Sequence, residues 1–319
     1  MGHGRSNSQA TITILAGGVG AAKFLRGLAL TLDQRRLRII VNTGDDEEFY
    51  GLHVSPDLDT VTYTLAGVVN AQTGWGWKEE SFATLAALAR FYGPAWFGLG
   101  DRDFATHLFR TERLRQGWPL SRITAEIARR FGLRCAVMPM SDDRVRTFVT
   151  VRGRGPRPFQ QYFVRERFRG QVEGIHWRGI KRARPLPAAL AAIEQARAII
   201  LAPSNPFVSL GPILALRPLR QALVRVRERV AAISPIVGGK ALKGPADKML
   251  RGLGHPVSAL GVAQLYRDCV GTFVLDQADH RLLGAIQALG LRAVVTDTIM
   301  SDPARAANLA SVVLSALNV

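Results

Sequence analysis

The chain has 319 residues, of which 47% are hydrophobic and 21% are charged, and its formal net charge is +17. This composition is typical of a folded globular protein and excludes a long disordered chain. The first ten residues lack the apolar stretch of a secretory signal, and no segment reaches the roughly 20 apolar residues of a membrane span. Two distant cysteines exclude a disulfide scaffold. We predict a disordered tail over residues 1–10 and one domain over 11–319, in a reduced, cytoplasmic protein.

Arginine accounts for most of the positive charge, since only six of the 42 basic residues are lysines. A chain-wide preference for arginine does not specify a partner, although the net charge favours nucleic acid or an anionic ligand. The lysines Lys23, Lys240, Lys243 and Lys248 lie in or beside glycine-rich stretches. A compact ammonium at such places suits contact with phosphate.

The first glycine-rich stretch is embedded in a pattern of strand, loop and helix over residues 11–28. Backbone N–H groups of such a loop and the helix N-terminus form a site for phosphate oxygens. Gly17, Gly18 and Gly20 carry no Cβ that would block an anion, and Lys23 follows one turn later. The sequence matches neither GxGxxG nor GxxxxGK[ST]. The alternative is a tight turn whose glycines serve helix packing alone.

Two acidic clusters follow the second predicted strand, the apolar run Leu37–Val41. They contain Asp45 and Asp46, then Asp57 and Asp59. Carboxylates at the carboxyl end of a strand can hold Mg²⁺, which in turn contacts phosphate. The alternative is a solvated acidic turn in which Asp57 caps a helix that begins near residue 60.

Tryptophans and one histidine stand out in the next stretch. Trp75, Trp77 and Trp96 lie in glycine-rich loops, where aromatic rings either stack on flat ligands or cover a core. His107 follows Asp103 by one helical turn. A lone histidine at such a place is more often structural than catalytic.

Apolar runs and helical patterns alternate along most of the remaining chain, which predicts an α/β fold: a Rossmann-like, mostly parallel sheet with helices on both faces. We predict strands at 134–138, 197–202, 230–236, 272–275 and 292–296, and helices at 83–91, 120–131, 187–195 and 306–319.

The segment 144–184 departs from this alternation and predicts two or three antiparallel strands inserted between core segments 11–143 and 185–319. It holds twelve basic and two acidic residues with interleaved aromatic residues. A protein that binds RNA or another polyanion through this segment is therefore an alternative function. A half-buried hairpin with arginines on its solvent-exposed face is the simpler interpretation.

Two further loops follow predicted strands. The loop after residues 197–202 contains Ser204, Asn205, Ser209 and Gly211, and the loop after 230–236 contains Gly238, Gly239 and Lys243. Ligands of open α/β sheets bind at the carboxyl ends of strands. Together the loops favour a phosphate or nucleotide site.

The ordered motifs GGVGAAK, NTGDD, SPDLDT, GWG, WFGLGDRD, MSDD, APSNPFVSLGPIL and GGKALKGPADKM span nearly the whole chain. This set resembles the 2-phospho-L-lactate transferase family of deazaflavin coenzyme biosynthesis. The resemblance implies transfer of a phospholactyl, phosphoenolpyruvyl or phosphoglyceryl group from a guanosine-diphosphate-linked donor to the ribityl hydroxyl of the deazaflavin Fo. The products would be coenzyme F-420-0, or its dehydro form, and GMP, with Mg²⁺ required. The choice among the three donors stays open.

The resemblance also assigns roles. Asp46, Asp57 and Asp59 would bind metal, and Asp45 and Asp57 would be catalytic, one aspartate taking the hydroxyl proton. The expected substrate-binding and nucleotide-binding residues are Gly17, Gly18, Gly20, Lys23, Asn42, Thr43, Trp75, Ser204, Asn205, Ser209, Gly211, Gly238, Gly239 and Lys243. The family suggests a homodimer with no nucleic-acid or membrane partner.

A nicotinamide-dependent oxidoreductase is another alternative. It would use the first glycine loop, with Asp45 or Asp46 on the ribose hydroxyls. The GGVG spacing and the lysines of the second glycine loop argue against it.

Overall fold

The strands of the fold are described by a computed structural model that covers residues 10–319, so residues 1–9 of the predicted tail lie outside it. In chain order they are β1 (Ile12–Ala16), β2 (Leu37–Val41), β3 (Glu47–Phe49), β4 (Leu52–Val54), β5 (Ala136–Pro139), β6 (Arg146–Val151), β7 (Gly155–Pro158), β8 (Val172–Arg178), β9 (Ala198–Leu201), β10 (Val230–Ile233), β11 (Ile236–Val237), β12 (Lys240–Ala241), β13 (Thr272–Asp276) and β14 (Arg292–Thr296).

The helices connect these strands. They are α1 (Gly18–Thr31), α2 (Pro56–Leu65), α3 (Ala83–Tyr92), α4 (Asp101–Arg115), α5 (Leu120–Arg130), α6 (Pro187–Gln195), α7 (Leu210–Ala215), α8 (Arg217–Arg225), α9 (Ala246–Gly252), α10 (Ala259–Tyr266), α11 (Leu283–Gln287) and α12 (Pro303–Ala316). Within residues 10–319, no helix is both long and apolar enough to cross a membrane.

A seven-stranded parallel sheet in the order β14-β13-β10-β9-β1-β2-β5 forms the centre of the fold. Its inner strands are continuous apolar runs because both faces of the sheet are covered. Ile14 belongs to the core that α1, α2, α5 and α12 cover, whereas its neighbour Leu15 belongs to the core under α6 and α8. The predicted Rossmann-like fold is confirmed.

The chain reverses its direction of travel across the sheet at β1. It runs from β1 to β2 and β5, and then returns to place β9 on the other side of β1. The loops that leave β1 and β9 therefore diverge and open a crevice at the carboxyl ends of the two strands. Open α/β sheets bind ligands at such a switch point.

Two element boundaries differ from the prediction. The strand predicted over 230–236 ends at Ile233, because Pro235 has no N–H for the ladder and the Ser234 hydroxyl donates to Ile236 O at 2.9 Å. The helix predicted to begin near residue 60 begins at Pro56, a residue suited to the first helical position. Asp57 is therefore the second residue of α2 and not its cap.

The segment 144–184 contains the antiparallel sheet β7-β6-β8, as its alternating pattern predicts. Between β7 and β8 the chain forms a π-helical turn over Gln161–Arg165. Such turns are rare and often lie at functional sites.

Candidate active site

A cavity of about 730 Å³ lies at the carboxyl ends of the parallel strands. Of the predicted site residues, those that line it are Gly17, Gly18, Gly20, Lys23, Asp45, Asp57, Asp59, Trp75, Ser204, Asn205, Ser209 and Lys243. Those outside the lining are Asn42, Thr43, Asp46, Gly211, Gly238 and Gly239. The structure thus brings Lys23, Lys243 and three of the aspartates to one cavity, while the roles assigned to them remain predictions.

Gly17, which caps α1, and Gly20, in its first turn, allow the start of this helix to approach the loop after β9. A Cβ at Gly17 would lie 2.7 Å from Ser209 Cβ, and a Cβ at Gly20 would overlap the carbonyl oxygen of Pro203. The Ser204 hydroxyl also donates to Gly17 O at 2.7 Å. These two glycines therefore serve packing of the loop, in addition to any contact with an anion.

Asp57 is held at the start of α2 by Asn42, which follows β2. The Asn42 side-chain amide donates to Asp57 Oδ2 at 2.9 Å and to Val208 O at 3.1 Å. Asn42 thereby joins the end of β2, the first turn of α2 and the loop after β9. Although it does not line the cavity, it positions a carboxylate that does.

Asp45 and Asp57 are buried carboxylates beside the same cavity. Burial raises the pKa of Asp45 well above its usual value, and the negative charges of Asp57 and Asp46 raise that pKa further. Burial also raises the pKa of Asp57, to about 7, against the lowering effect of the Asn42 amide. Among residues 10–319, Asp45 Oδ1 has no hydrogen-bond partner. This arrangement favours binding of a cation, which would relieve the repulsion.

Asp46 and Asp59, the other predicted metal ligands, have protein partners. Asp46 Oδ2 accepts from the Ser55 hydroxyl at 2.8 Å and lies 3.0 Å from His53 Nε2. Asp59 forms a buried ion pair with Arg110, whose Nη1 donates to Asp59 Oδ2 at 3.1 Å. No group of three or more His, Cys, Asp or Glu side chains in the described chain is arranged to hold a metal ion.

Lys23 from the second turn of α1 and Lys243 from the second glycine loop both line the cavity. Partial burial lowers the pKa of Lys243, and the positive charge of Lys23 lowers that pKa further. The Lys243 ammonium donates to Thr73 O, which connects the second glycine loop to the tryptophan loop. Two neighbouring ammonium groups are suited to an anion, and their binding role stays a prediction.

The glycines that precede Lys243 form the turn between β11 and β12. Gly238 and Gly239 have φ values of +56° and +75°, which glycine adopts without strain. The Gly238 N–H donates to Asp279 Oδ2 at 3.0 Å. Their placement outside the cavity lining indicates that they shape the hairpin, and a nucleotide-binding role for them stays a prediction.

Two other predicted residues also contribute to packing and loop shape. Asn205 Oδ1 accepts from the Phe207 N–H at 2.9 Å, which fixes the loop after β9. A Cβ at Gly211 would lie 2.8 Å from the Trp177 ring, so this glycine allows β8 to pack against α7.

Of the three loop tryptophans, only Trp75 lines the cavity, and 44% of its surface is exposed. The Trp77 ring packs against Tyr63 at 5.5 Å between ring centroids. The Trp96 ring packs against Phe49 at 5.2 Å. Trp77 and Trp96 therefore cover a core, and Trp75 remains available to a flat ligand.

The basic insertion supplies one wall of the cavity, which sequence reasoning missed. Phe159, Gln160, Phe163 and Val164, in and beside the π-helical turn, line it. The rings of Phe159 and Phe163 stack at 5.4 Å between centroids. The interleaved aromatic residues were the available signal, although they were interpreted as part of a half-buried hairpin, with a nucleic-acid surface as the alternative. Polyanion binding by the exposed arginines of the insertion stays a prediction.

Helices α2 and α4 bring a second group of polar residues to the cavity that the sequence did not identify as a site. These residues are Tyr63, Asp103 and His107. Arg110 Nη1 donates to His107 Nδ1 at 3.3 Å, and burial lowers the pKa of His107 to about 4. The His107 imidazole is therefore neutral near pH 7, in line with a structural role.

The family model for 2-phospho-L-lactate transferase CofD matches residues 12–313. The chain belongs to this family. The identification from sequence motifs is thus confirmed, and the chain is an enzyme of the transferase class.

Curated relatives align with this chain over nearly the whole length of both proteins. A phosphoenolpyruvate transferase of Streptomyces griseus is 42% identical over 91% of this chain and 93% of the relative. A 2-phospho-L-lactate transferase of Methanosarcina mazei is 35% identical over 95% of this chain and 99% of the relative. Among solved structures, a UPF0052 family member from Bacillus halodurans has a TM-score of 0.68 and 14% identity, with 95% of this chain and 99% of that chain covered. The last similarity bears on the fold alone.

Proposed function

We propose that this enzyme transfers a phosphoenolpyruvyl group from a guanosine-diphosphate-linked donor to the ribityl hydroxyl of the deazaflavin Fo. The products are then the dehydro form of coenzyme F-420-0 and GMP. The choice of donor is supported by the Streptomyces griseus relative named phosphoenolpyruvate transferase, at 42% identity, against 35% for the Methanosarcina mazei relative named 2-phospho-L-lactate transferase.

The observation that carries the proposal is the position of two buried carboxylates and two ammonium groups around one cavity. Asp45 follows β2 and Asp57 lies in the first turn of α2. Lys23 lies in α1, and Lys243 lies in the second glycine loop. Phosphoryl transfer depends mainly on positioning and on neutralising the charge of the phosphoryl oxygens. The lysines are suited to bind the phosphates of the donor.

The carboxylates fit Mg²⁺, because proteins commonly bind this ion through one or two carboxylates together with phosphate oxygens of the substrate. The raised pKa of both carboxyl groups is consistent with a cation bound beside them. Asp57 would hold the ion, and Asn42 would orient Asp57. Bound Mg²⁺ would neutralise negative charge on the donor phosphates.

The chemical step forms one bond and breaks another. The ribityl oxygen attacks the phosphorus that carries the three-carbon acid. The bond between this phosphorus and the oxygen that bridges the two phosphorus atoms breaks, and that oxygen leaves with GMP. Asp45 Oδ1 accepts the hydroxyl proton as general base. A buried carboxylate whose pKa lies above its usual value is a stronger base than an exposed one.

Apolar side chains around the cavity are suited to the deazaflavin ring. Trp75 lies on one side, and Phe159 and Phe163 of the insertion form another wall. Aromatic walls bind flat ligands and exclude water from the reacting groups.

The test is incubation of the protein with Fo, Mg²⁺ and each of the three guanylylated acids, followed by mass spectrometry of the deazaflavin. The proposal predicts the largest rate of mass gain with the phosphoenolpyruvyl donor, release of GMP, and loss of the gain in a chelator. A larger rate with the phospholactyl or phosphoglyceryl donor would reject the donor assignment. No gain with any donor would reject the transferase proposal.

A further inference from the structure

The cavity has a polar floor between α2 and α4 that the proposed chemistry does not use. Tyr63 and Asp103 line this floor, and only 1% and 6% of their surfaces are exposed. Both lie on regular helices, so their backbone positions are fixed by the fold.

The hydrogen-bonding groups of the floor are largely unused. The buried Tyr63 Oη has no hydrogen-bond partner among residues 10–319. The Asp103 carboxylate accepts a long contact of 3.5 Å from the Gly100 N–H to Oδ2. Burial raises the pKa of Asp103 to about 7, against the lowering effects of the Gly100 N–H and of the neighbouring Tyr63 hydroxyl. Buried polar groups in folded proteins are nearly always satisfied, so unused groups at a cavity indicate a ligand.

The walls above this floor suit a planar ring. The Trp75 ring lies over Gly98, where a Cβ would be 3.5 Å from Trp75 Cη2. Gly76 passes over Asp103, and a Cβ at Gly76 would lie 3.8 Å from Asp103 Oδ2. Phe97 and Leu99 add apolar surface on the same side of the cavity.

A carboxylate next to a phenol complements the edge of a heterocycle that has a ring N–H beside a ring carbonyl. The carboxylate accepts from a ring N–H, and the phenol donates to a neighbouring ring carbonyl. Burial raises the pKa of Tyr63 well above its usual value, so the hydroxyl keeps its proton. A site built in this way rejects analogues that lack the matching groups much more strongly than an apolar pocket does.

We propose that Asp103 and Tyr63 read the hydrogen-bonding edge of a planar heterocycle in which a ring N–H adjoins a ring carbonyl. The assignment rests on the proposed function, which supplies two rings with this edge. One is the pyrimidinedione of the deazaflavin, and the other is the guanine of the donor. Asp103 and Tyr63 are thus specificity-determining residues for one of the two substrates.

Calorimetry distinguishes the two rings. It measures the affinity of the folded variants for Fo, for guanosine diphosphate and for inosine diphosphate. Asp103→Asn removes the charge and replaces one acceptor oxygen by an N–H donor, and Tyr63→Phe removes the hydroxyl donor, both with little change in volume. We expect each variant to bind one ring at least tenfold more weakly and the other within twofold of wild type. Tyr92→Phe and Asp33→Asn, which alter exposed residues outside the cavity, serve as matched controls.

The pattern of losses identifies the ring. Weaker binding of Fo alone assigns the floor to the deazaflavin, and weaker binding of the nucleotides alone assigns it to guanine. In turnover, the variants should raise KM for that substrate more than they lower kcat. Affinities for Fo and guanosine diphosphate that match wild type in both variants would overturn the proposal, and Tyr63→Phe alone decides if Asp103→Asn does not fold.

Failure of the proposed function gives a different result. Ring binding that depends on Asp103 and Tyr63, in a protein without turnover, would reject the transfer reaction and keep the recognition site. Normal turnover with unchanged affinities would reject the recognition site and keep the transfer reaction. A wild-type protein that binds neither ring would overturn both.

Discussion

Asn42 and Asp57 are joined by a hydrogen bond of 2.9 Å from the Asn42 amide to Asp57 Oδ2. The bond links the end of β2 to the first turn of α2 and fixes a carboxylate at the rim of the cavity. Asn42 itself makes no contact with the cavity. The orientation of Asp57 therefore depends on a residue that would act only through it.

Asn42→Ala should lower kcat about tenfold or more, because a hydrogen bond to a charged group contributes about 1.5–3 kcal/mol. The pKa of Asp57 should also rise, since the amide favours its charged form. The kcat profile should therefore shift to higher pH. Asn308→Ala on the exposed face of α12 is the matched control and should leave both quantities unchanged. Wild-type kcat and an unchanged pH profile in Asn42→Ala would contradict the positioning role.

The buried pair of Asp59 and Arg110 should matter far more to stability than an ion pair on the surface. Only 2% of the Arg110 side chain is exposed, so Arg110→Met leaves a buried carboxylate without its counter-ion. We expect the free energy of unfolding in urea to fall by about 3–5 kcal/mol. Arg129→Met, which breaks an exposed pair with Glu126, should cost about 1 kcal/mol or less.

A double variant separates the charge effect from the loss of packing. Asp59→Asn combined with Arg110→Met removes both charges, and it should be more stable than Arg110→Met alone. Equal stability of the single and double variants would show that the ion pair is not the cause of the loss.

The contribution of Asp57 to the stability of the metal-free protein should fall as the pH rises from about 4 to about 7. The pKa of an aspartate in an unfolded chain is about 3.9, and burial raises the pKa of Asp57 to about 7. Between these values the folded protein binds more protons than the unfolded chain does. Stability from this group is thus complete below the unfolded pKa and is lost as the pH passes the folded pKa.

Melting temperatures measured against pH in a chelator test this dependence. The melting temperature of Asp57→Asn relative to that of wild type should increase from about pH 4 to about pH 7, because the amide does not titrate and this variant lacks the loss from Asp57. Asp33→Asn is the control, since hydrogen bonds from Arg35 lower the pKa of the exposed Asp33 to about 2, below this range. A pH dependence of the melting temperature in Asp57→Asn that is identical to that of wild type would refute the assignment.

Gly20 should tolerate no side chain, because a Cβ there would overlap the carbonyl oxygen of Pro203. Gly20→Ala should lower the free energy of unfolding by about 1–3 kcal/mol and weaken nucleotide binding, as the two loops move apart. Gly284→Ala in α11 meets open space and should be neutral or stabilising by up to about 1 kcal/mol. Wild-type stability of Gly20→Ala would show that the loops do not need this close approach.

Local sequence patterns predicted the frame of this fold well. The runs at Leu37–Val41 and Arg292–Thr296 and the helix at Pro187–Gln195 have the predicted bounds, because apolar periodicity reports burial directly. The break after Ile233 was missed because the apolar pattern continues through it, although Pro235 interrupts the strand.

The composition of the site was harder to predict than its location. The edge of the sheet follows from topology, so the aspartates and glycine loops were expected there. The ion pair of Asp59 with Arg110 joins residues 51 positions apart, and no local pattern encodes such a contact. Similarly, the stacked rings of Phe159 and Phe163 line the cavity only because the insertion folds back over the sheet.

Turnover by Asp57→Asn, measured with Fo, Mg²⁺ and the phosphoenolpyruvyl donor, tests the central claim most directly. The variant removes one carboxylate charge and keeps the shape of the side chain, and its melting temperature and ligand binding confirm that it is folded. The account predicts a loss of about a hundredfold or more in kcat, while Asp33→Asn retains the wild-type rate. Full activity of a folded Asp57→Asn would contradict the account.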